Sequence, residues 1–518
     1  MTSSLTTRRT FLGASVGSLA LAGLAACADP ATSPQPSGRI LPTDPLVAEY
    51  EKRRAASGTT VTHRLSAAPL ETSLQGRGLT TWGYNDGLNG PLLRAQTGDL
   101  LKVSVANDLP EDTSVHWHGL ALRNDADGVQ GVTQDPIAAG GRYTYGFRLS
   151  HPGTYWYHSH FDTQRERALY GALIVEDPNE PLSYDQEWVV ILDDWLDGIT
   201  GTPQDVVEEL SAGMDMSGDM EGMAGMDHGS MSQDSSSGMP MKHMLMGAES
   251  DYLGGDAGDV KIPVHLFNSR PPSDPDTFSS TPGNRIRLRL INAAGDTAYR
   301  VGIPGQELTI THTDGFPVQP RQADAVVLGM GERLDVLITL GDHAVPVLAL
   351  PEGKTGHAYG IITAGPKTTL SGRLPQTLGG TVLDGSRLKA HESVLLPPKD
   401  PTRTHEVRLT GSMMEYDWGI NGRRFDPANP FNGAFELRLD ERVRVTMTND
   451  TDMWHPMHLH GHTFQLADHG ARKDTVIIKP RQTITFDFEA DNPGQWLTHC
   501  HNAYHAEAGM MGVFSYIH

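Results

Sequence analysis

Residues 454–461 read Trp454-His455-Pro456-Met457-His458-Leu459-His460-Gly461, and residues 499–505 read His499-Cys500-His501-Asn502-Ala503-Tyr504-His505, with Met510 close behind. In an extended strand alternate side chains share a face. Each His-x-His pair therefore turns two imidazoles to one side, while the residue between them points the other way. Cys500 faces away from His499 and His501, so one short strand can serve two sites back to back. Residues 100–107, 143–149 and 155–160 alternate in the same manner. No stretch carries a long helical stripe, and the chain reads as all-β.

Working outward from this stretch, the pattern repeats. Asn449 precedes His458-Leu459-His460-Gly461 by the interval that separates Asn107 from His116-Trp117-His118-Gly119. Pro152-Gly153 precedes His158-Ser159-His160 as Pro493-Gly494 precedes His499-Cys500-His501. The two ends are thus copies of one β unit. A third copy lies between them: residues 285–292 match the strand before the pair, but Val301-Gly302-Ile303 stands where the histidines should be. The middle unit is expected to keep the fold without ligands.

Cysteine, two histidines and a weak methionine make the ligand set of an electron-transfer copper, and His455, Cys500, His505 and Met510 supply it. Zinc accepts the same nitrogen and sulfur donors, but the surplus of histidines and the soft thioether point to copper. The four pairs, 116/118, 158/160, 458/460 and 499/501, bring eight imidazoles, which suit three coppers between the terminal units.

On these motifs the chain resembles the multicopper oxidases, the family of laccases, bilirubin oxidases and bacterial cuprous oxidases, along its whole mature length. The resemblance implies three cupredoxin-like Greek-key β-sandwich domains, at 58–182, 183–365 and 401–518, with a linker at 366–400. It also implies four copper ions and the reduction of O₂ to water. His455, Cys500 and His505, with Met510 axial, resemble the type 1 site; His116 and His458 resemble type 2 ligands. His118, His158, His160, His460, His499 and His501 resemble the ligands of a type 3 pair. Cys500 then links the sites covalently through His499 and His501. Asp127 sits where the family places an acid that assists proton delivery, although an aspartate before Gly128 is also an ordinary turn residue. Around His505, where bacterial cuprous oxidases often carry glutamates, this chain has Tyr504 and Ala506. Glu507 is left as the candidate for a second proton relay.

Two stretches bear on the reductant. Between residues 211 and 247 lie ten of the chain's 19 methionines: Met214, Met216, Met220, Met223, Met226, Met231, Met239, Met241, Met244 and Met246. Without a strand period this should be a mobile loop on the middle domain. Thioethers favour Cu(I); the plainer alternative is an insertion without a role. Met413-Met414-Glu415-Tyr416-Asp417 precedes the type 1 ligands, so Met413, Met414 and Asp417 are candidates to hold substrate Cu(I), the alternative being core methionines at a strand end. The expected function is Cu(I) oxidation coupled to O₂ reduction, in copper tolerance. A laccase-like oxidase of phenols or aromatic amines is the first alternative. A non-catalytic copper-binding envelope protein is the second, and the complete ligand set argues against it.

The first 27 residues read as an address. Arg8-Arg9 before a short apolar run resembles a twin-arginine export signal, and Leu24-Ala25-Ala26-Cys27 resembles a lipobox or, alternatively, a plain cleavage site beside a cysteine. A lipid on Cys27 would tether the protein on the outer side of a membrane, through a Pro/Ser/Thr-rich stalk at 28–57. Cys27 and Cys500 are the only cysteines, leaving none for a disulfide. The net charge of −22 argues against nucleic acid. The expected partners are O₂ and Cu(I) or another small reductant, and a monomer is expected.

Overall fold

The computed structural model describes residues 38–213, 242–365, 370 and 373–518. The export signal, Cys27 and the methionines from Met214 to Met241 lie outside the described residues. Alternation produced what it should: three β-sandwiches built to one plan. In each, a strand runs parallel to the strand that leads toward the histidine-pair position. These parallel pairs are Thr60–Leu74 with Leu100–Asn107, Gln186–Trp195 with Arg285–Asn292, and Arg403–Thr410 with Arg442–Asn449. The second member then pairs antiparallel with Arg142–Arg148, Arg333–Thr339 or Thr483–Glu489. A second sheet completes each sandwich, and the core between draws on both, as with Val103, Trp117 and Leu173 in the first unit.

The asparagine that marks each repeat is a buried staple. Asn107 donates to the carbonyls of Glu111 and Ile137 and accepts from Leu109 N. Asn292 donates to Thr297 and Leu328 and accepts from Ala294 N. Asn449 donates to Met453 and Ile478 and accepts from Thr451 N. All three are fully buried. A side-chain amide can satisfy one donor and two acceptors of a loop that leaves the sheet, so each staple fixes where the next strand begins. That next strand is His116–His118, Tyr299–Gly302 or His455–Leu459. Tyr299–Gly302 occupies the same place in the middle sheet and carries no imidazole.

Two boundaries differ from the sequence reading. The expected stalk at 28–57 is attached from Arg39 onward. Ile40 pairs with Tyr516, the helix Pro45–Arg53 starts on Asp44 as its cap, and Arg54 ties Ala121 and Ser150 of the first unit to Asn492 of the last. A nine-residue helix has no long stripe, which hid it in the sequence. The expected linker at 366–400 contributes Val382–Asp384 as a parallel edge strand of the middle domain, beside Ala325–Leu328. Among the described residues no helix is long and apolar enough to cross a membrane.

Candidate metal centres

The strand Gln495–Cys500 pairs with His455–Leu459, placing His458 opposite His499 and Met457 opposite Cys500. The pleat then separates the donors. Cys500 Sγ lies 3.7 Å from His455 Nδ1 and 3.7 Å from His505 Nδ1, and the two Nδ1 atoms are 3.0 Å apart. His505 comes from the helix Ala503–Ala508, which Asn502 caps and Gly509 ends in the left-handed region. Met510 follows, fully buried; Cys500 N donates to its carbonyl and its own N–H donates to His505 O.

Both imidazoles are held from behind. His455 Nε2 is 2.8 Å from the Thr451 hydroxyl, and His505 Nε2 donates to Asp259 Oδ2 at 2.9 Å. The nitrogens turned toward Cys500 are thereby the free ones, which is the usual arrangement behind a metal-binding histidine. Burial works against protonation of His505, but Asp259 and Cys500 raise its pKa to about 10. The sequence reading missed Asp259. It lies in the middle domain, and its only local signal is one acid among several in Asp256-Ala257-Gly258-Asp259.

On the other side of the strand the eight imidazoles converge. His118, His158 and His501 form one trio and His160, His460 and His499 another, each with ligand atoms within 4.8 Å of one another. His116 and His458 stack on members of these groups, 3.8 Å from His460 and His118 respectively. Seven of the eight rings have a defined partner on one ring nitrogen. Asp127 O accepts from His116 Nδ1, Asp127 Oδ2 from His460 Nδ1, and Asp474 O from His458 Nδ1. Ser159 O and Cys500 O accept from His158 and His499. His118 is the odd one: its Nε2 donates to Asp474 Oδ1, leaving Nδ1 inward. Arg165 of the first unit approaches His501 Nδ1 at 3.0 Å.

The inward atoms His116 Nε2, His118 Nδ1, His158 Nε2, His160 Nε2 and His458 Nε2 are buried with no hydrogen-bond partner. Orphaned buried acceptors are costly, and five aimed at one space fit metal ions. Burial pushes the pKa of His118, His158, His460, His499 and His501 well below the ordinary value, and that of His160 to about 3. Neutral imidazoles with open lone pairs are what copper needs.

Asp127 thus touches His116 and His460 and is fully buried. Glu507 lines a narrow cavity with His158, His160, His499 and Arg165. Burial, reinforced by Asp162, raises its pKa to about 7, so it can gain and lose a proton near neutrality.

The methionine candidates are divided. Met244 is fully buried in the core of the last domain, which corrects its place in a mobile loop. Met246 is exposed. Met414 is exposed, whereas Met413 packs against that core. Asp417 accepts from Ser412 N and so closes the turn. Tyr416, between them, reaches the Cys500 side: its hydroxyl donates to Asp259 Oδ2 at 2.9 Å.

Family profiles described as multicopper oxidase match residues 69–180, 186–348 and 397–517. Multicopper oxidase MmcO of Mycobacterium tuberculosis is 41% identical over 98% of this chain and 96% of its own length. Copper resistance protein A of Escherichia coli is 28% identical over 82% and 87%, and Laccase-1 of a Cryptococcus neoformans strain is 27% identical over 88% and 80%. Among solved structures, the multicopper oxidase Fet3p superposes with a TM-score of 0.72 at 20% identity, over 88% of this chain and 90% of that one.

Proposed function

Because the chain belongs to the multicopper oxidase family, we propose that it is an exported enzyme that oxidises Cu(I) at the Cys500 side and reduces O₂ at the histidine cluster. Its role is copper tolerance. Four Cu(I) ions each give up one electron, and one O₂ with four protons becomes two waters. Four copper ions would be held: one by His455, Cys500 and His505 with Met510, one by His116 and His458, and a pair by the two histidine trios. Bound there, copper supplies the one-electron steps.

The residues do the rest. Asp259 holds His505 in place. Cys500 connects directly, through its own backbone, to His499 and His501. Asp127 accepts from His460 beside the cluster, and Glu507 can hold a proton next to the imidazoles.

The observation that carries the choice of Cu(I) is where the methionine-rich segment is attached. Gly213, the last described residue before it, lies against Met414: a β-carbon there would stand 3.0 Å from the Met414 carbonyl. After it, His243 pairs with Glu209 of the helix Pro203–Ser211, and Val206, Leu210 and Met244 share a core with Tyr416, Trp418, Cys500 and Met510. Two methionine-bearing stretches far apart in sequence thus begin at one place, beside the Asp259–Tyr416 pair. His455 and His505 are fully buried, so a bulky phenol has no direct approach to either ring, which disfavours the laccase reading.

Oxygen consumption with Cu(I), Fe(II) and a phenol, compared on one preparation with copper counted per chain, tests the reading. A phenol rate above the Cu(I) rate, or a loaded protein with fewer than four coppers, would refute it. The lipid anchor on Cys27 and the monomeric state belong to the same reading. Cys27→Ala should move an otherwise active enzyme out of the membrane fraction.

A further inference from the structure

Among the described residues the middle domain carries no imidazole of the cluster, yet it supplies one wall of it. Gly331, at φ +86°, lies so close that a β-carbon would stand 2.8 Å from His501 Cδ2 and 3.1 Å from His118 Cε1. Two residues on, Arg333 is fully buried and grips Asp474 with both arms of its guanidinium, NH1 to Oδ1 at 2.7 Å and NH2 to Oδ2 at 2.6 Å. Asp474 Oδ1 is the atom that accepts from His118 Nε2, at 3.1 Å. The Thr475 hydroxyl is 2.9 Å from the same carboxylate oxygen and 3.1 Å from both His118 Nε2 and His458 Nδ1.

The grip is braced on all sides. Arg333 Nε donates to Thr154 O of the first domain, and Arg333 N to Asp314 Oδ1. Asp314 Oδ2 accepts from Asp474 N and Thr475 N and pairs with Lys473 at 3.0 Å, while Lys473 also meets Glu332 at 3.1 Å. Gly119 is glycine for the same reason: a β-carbon there would come within 2.4 Å of Arg333 NH2 and 2.7 Å of Asp474 Oδ2. Buried ion networks contribute little net stability compared with apolar packing. This one is built around the single imidazole that turns its Nδ1 inward.

We propose that Arg333 is a positioning residue for the copper cluster: by fixing the Asp474 carboxylate it decides which nitrogen of His118 faces the metal. The inference rests on the cluster reading above. A bidentate fork holds a carboxylate in one plane, and a carboxylate so held accepts from only one edge of the ring. Lysine keeps the charge but not the plane.

The test uses the full chain, loaded with copper and dialysed against a graded copper chelator, with copper counted per chain and the Cys500 blue band read on the same samples. Arg333→Lys and Asp474→Asn should each lose cluster copper at 10- to 100-fold lower chelator activity than wild type, the usual scale for removing an outer partner of a metal ligand. The blue band per chain should not change. Because Arg333 acts through Asp474, the double variant should be no worse than Asp474→Asn alone. In copper-free protein, ¹⁵N-histidine spectra should show one ring leaving the Nε2–H tautomer in both single variants. Wild-type copper retention in Arg333→Lys, additive losses in the double variant, or loss of the blue band together with the cluster copper would each overturn the proposal. Wild-type protein holding fewer than four coppers would instead overturn the reading beneath it.

Discussion

Asp259 and His505 belong to different domains, yet they share a 2.9 Å hydrogen bond at a fully buried site, and Tyr416 donates to the same carboxylate oxygen. Tyr416 makes this contact from a left-handed backbone conformation, φ +47°, which is uncommon for a bulky residue. His505 has no exposed edge, and on the proposed function an outside donor would reach it through this pair.

Asp259→Ala should therefore keep the copper count and the blue band while Cu(I) turnover falls about 10-fold or more, since outer partners of metal ligands act on this scale. Stopped-flow reduction of the blue band by Cu(I) measures it. An unchanged reduction rate would remove Asp259 from the electron route.

Deleting residues 214–241 should raise the apparent KM for Cu(I) and leave kcat and phenol oxidation alone, because lost ground-state binding shows in KM. The deletion has to stop there: His243 and Met244 are packed, and taking them would damage the core. Equal loss of both activities would point to misfolding and against a supply role.

Asp127→Asn and Glu507→Gln should slow reoxidation of the reduced enzyme by O₂ about 100-fold, the lower end of what a positioned proton donor contributes. Reduction of the blue band by Cu(I) should be unaffected. If reoxidation keeps its wild-type rate in both variants, neither carboxyl delivers protons.

Asn292→Ala should cost about 1–3 kcal/mol by leaving Ala294 N and two carbonyls without their partner. Urea unfolding of the middle domain should shift to a lower midpoint while copper content stays at the wild-type value. A stability equal to wild type would mean that the repeated asparagine is not a staple there.

Much of the site was legible because it is local. A period of two assigns each side chain of residues 455–460 and 499–501 to a face, and the pleat alone puts Cys500 on the opposite side from its neighbours. The repeat of Asn107, Asn292 and Asn449 exposed three copies of one unit, and each copy needs the same amide to satisfy the same loop. These features depend on neighbours along the chain, so a linear reading reaches them.

Only the tertiary structure decided what stands behind the ligands. Asp259, Thr451, Asp474, Arg165 and Arg333 carry no period and no motif; each acquires its role from packing between units or around a loop. Which nitrogen of His118 turns inward depends on Asp474, and Asp474 is held by a guanidinium from a domain with no cluster imidazole. The attachment of the methionine-rich segment beside Met414 is likewise a product of packing. A strand pattern tells which way a side chain points, but what it meets there depends on how separate sandwiches are pressed together, and no local interaction encodes that.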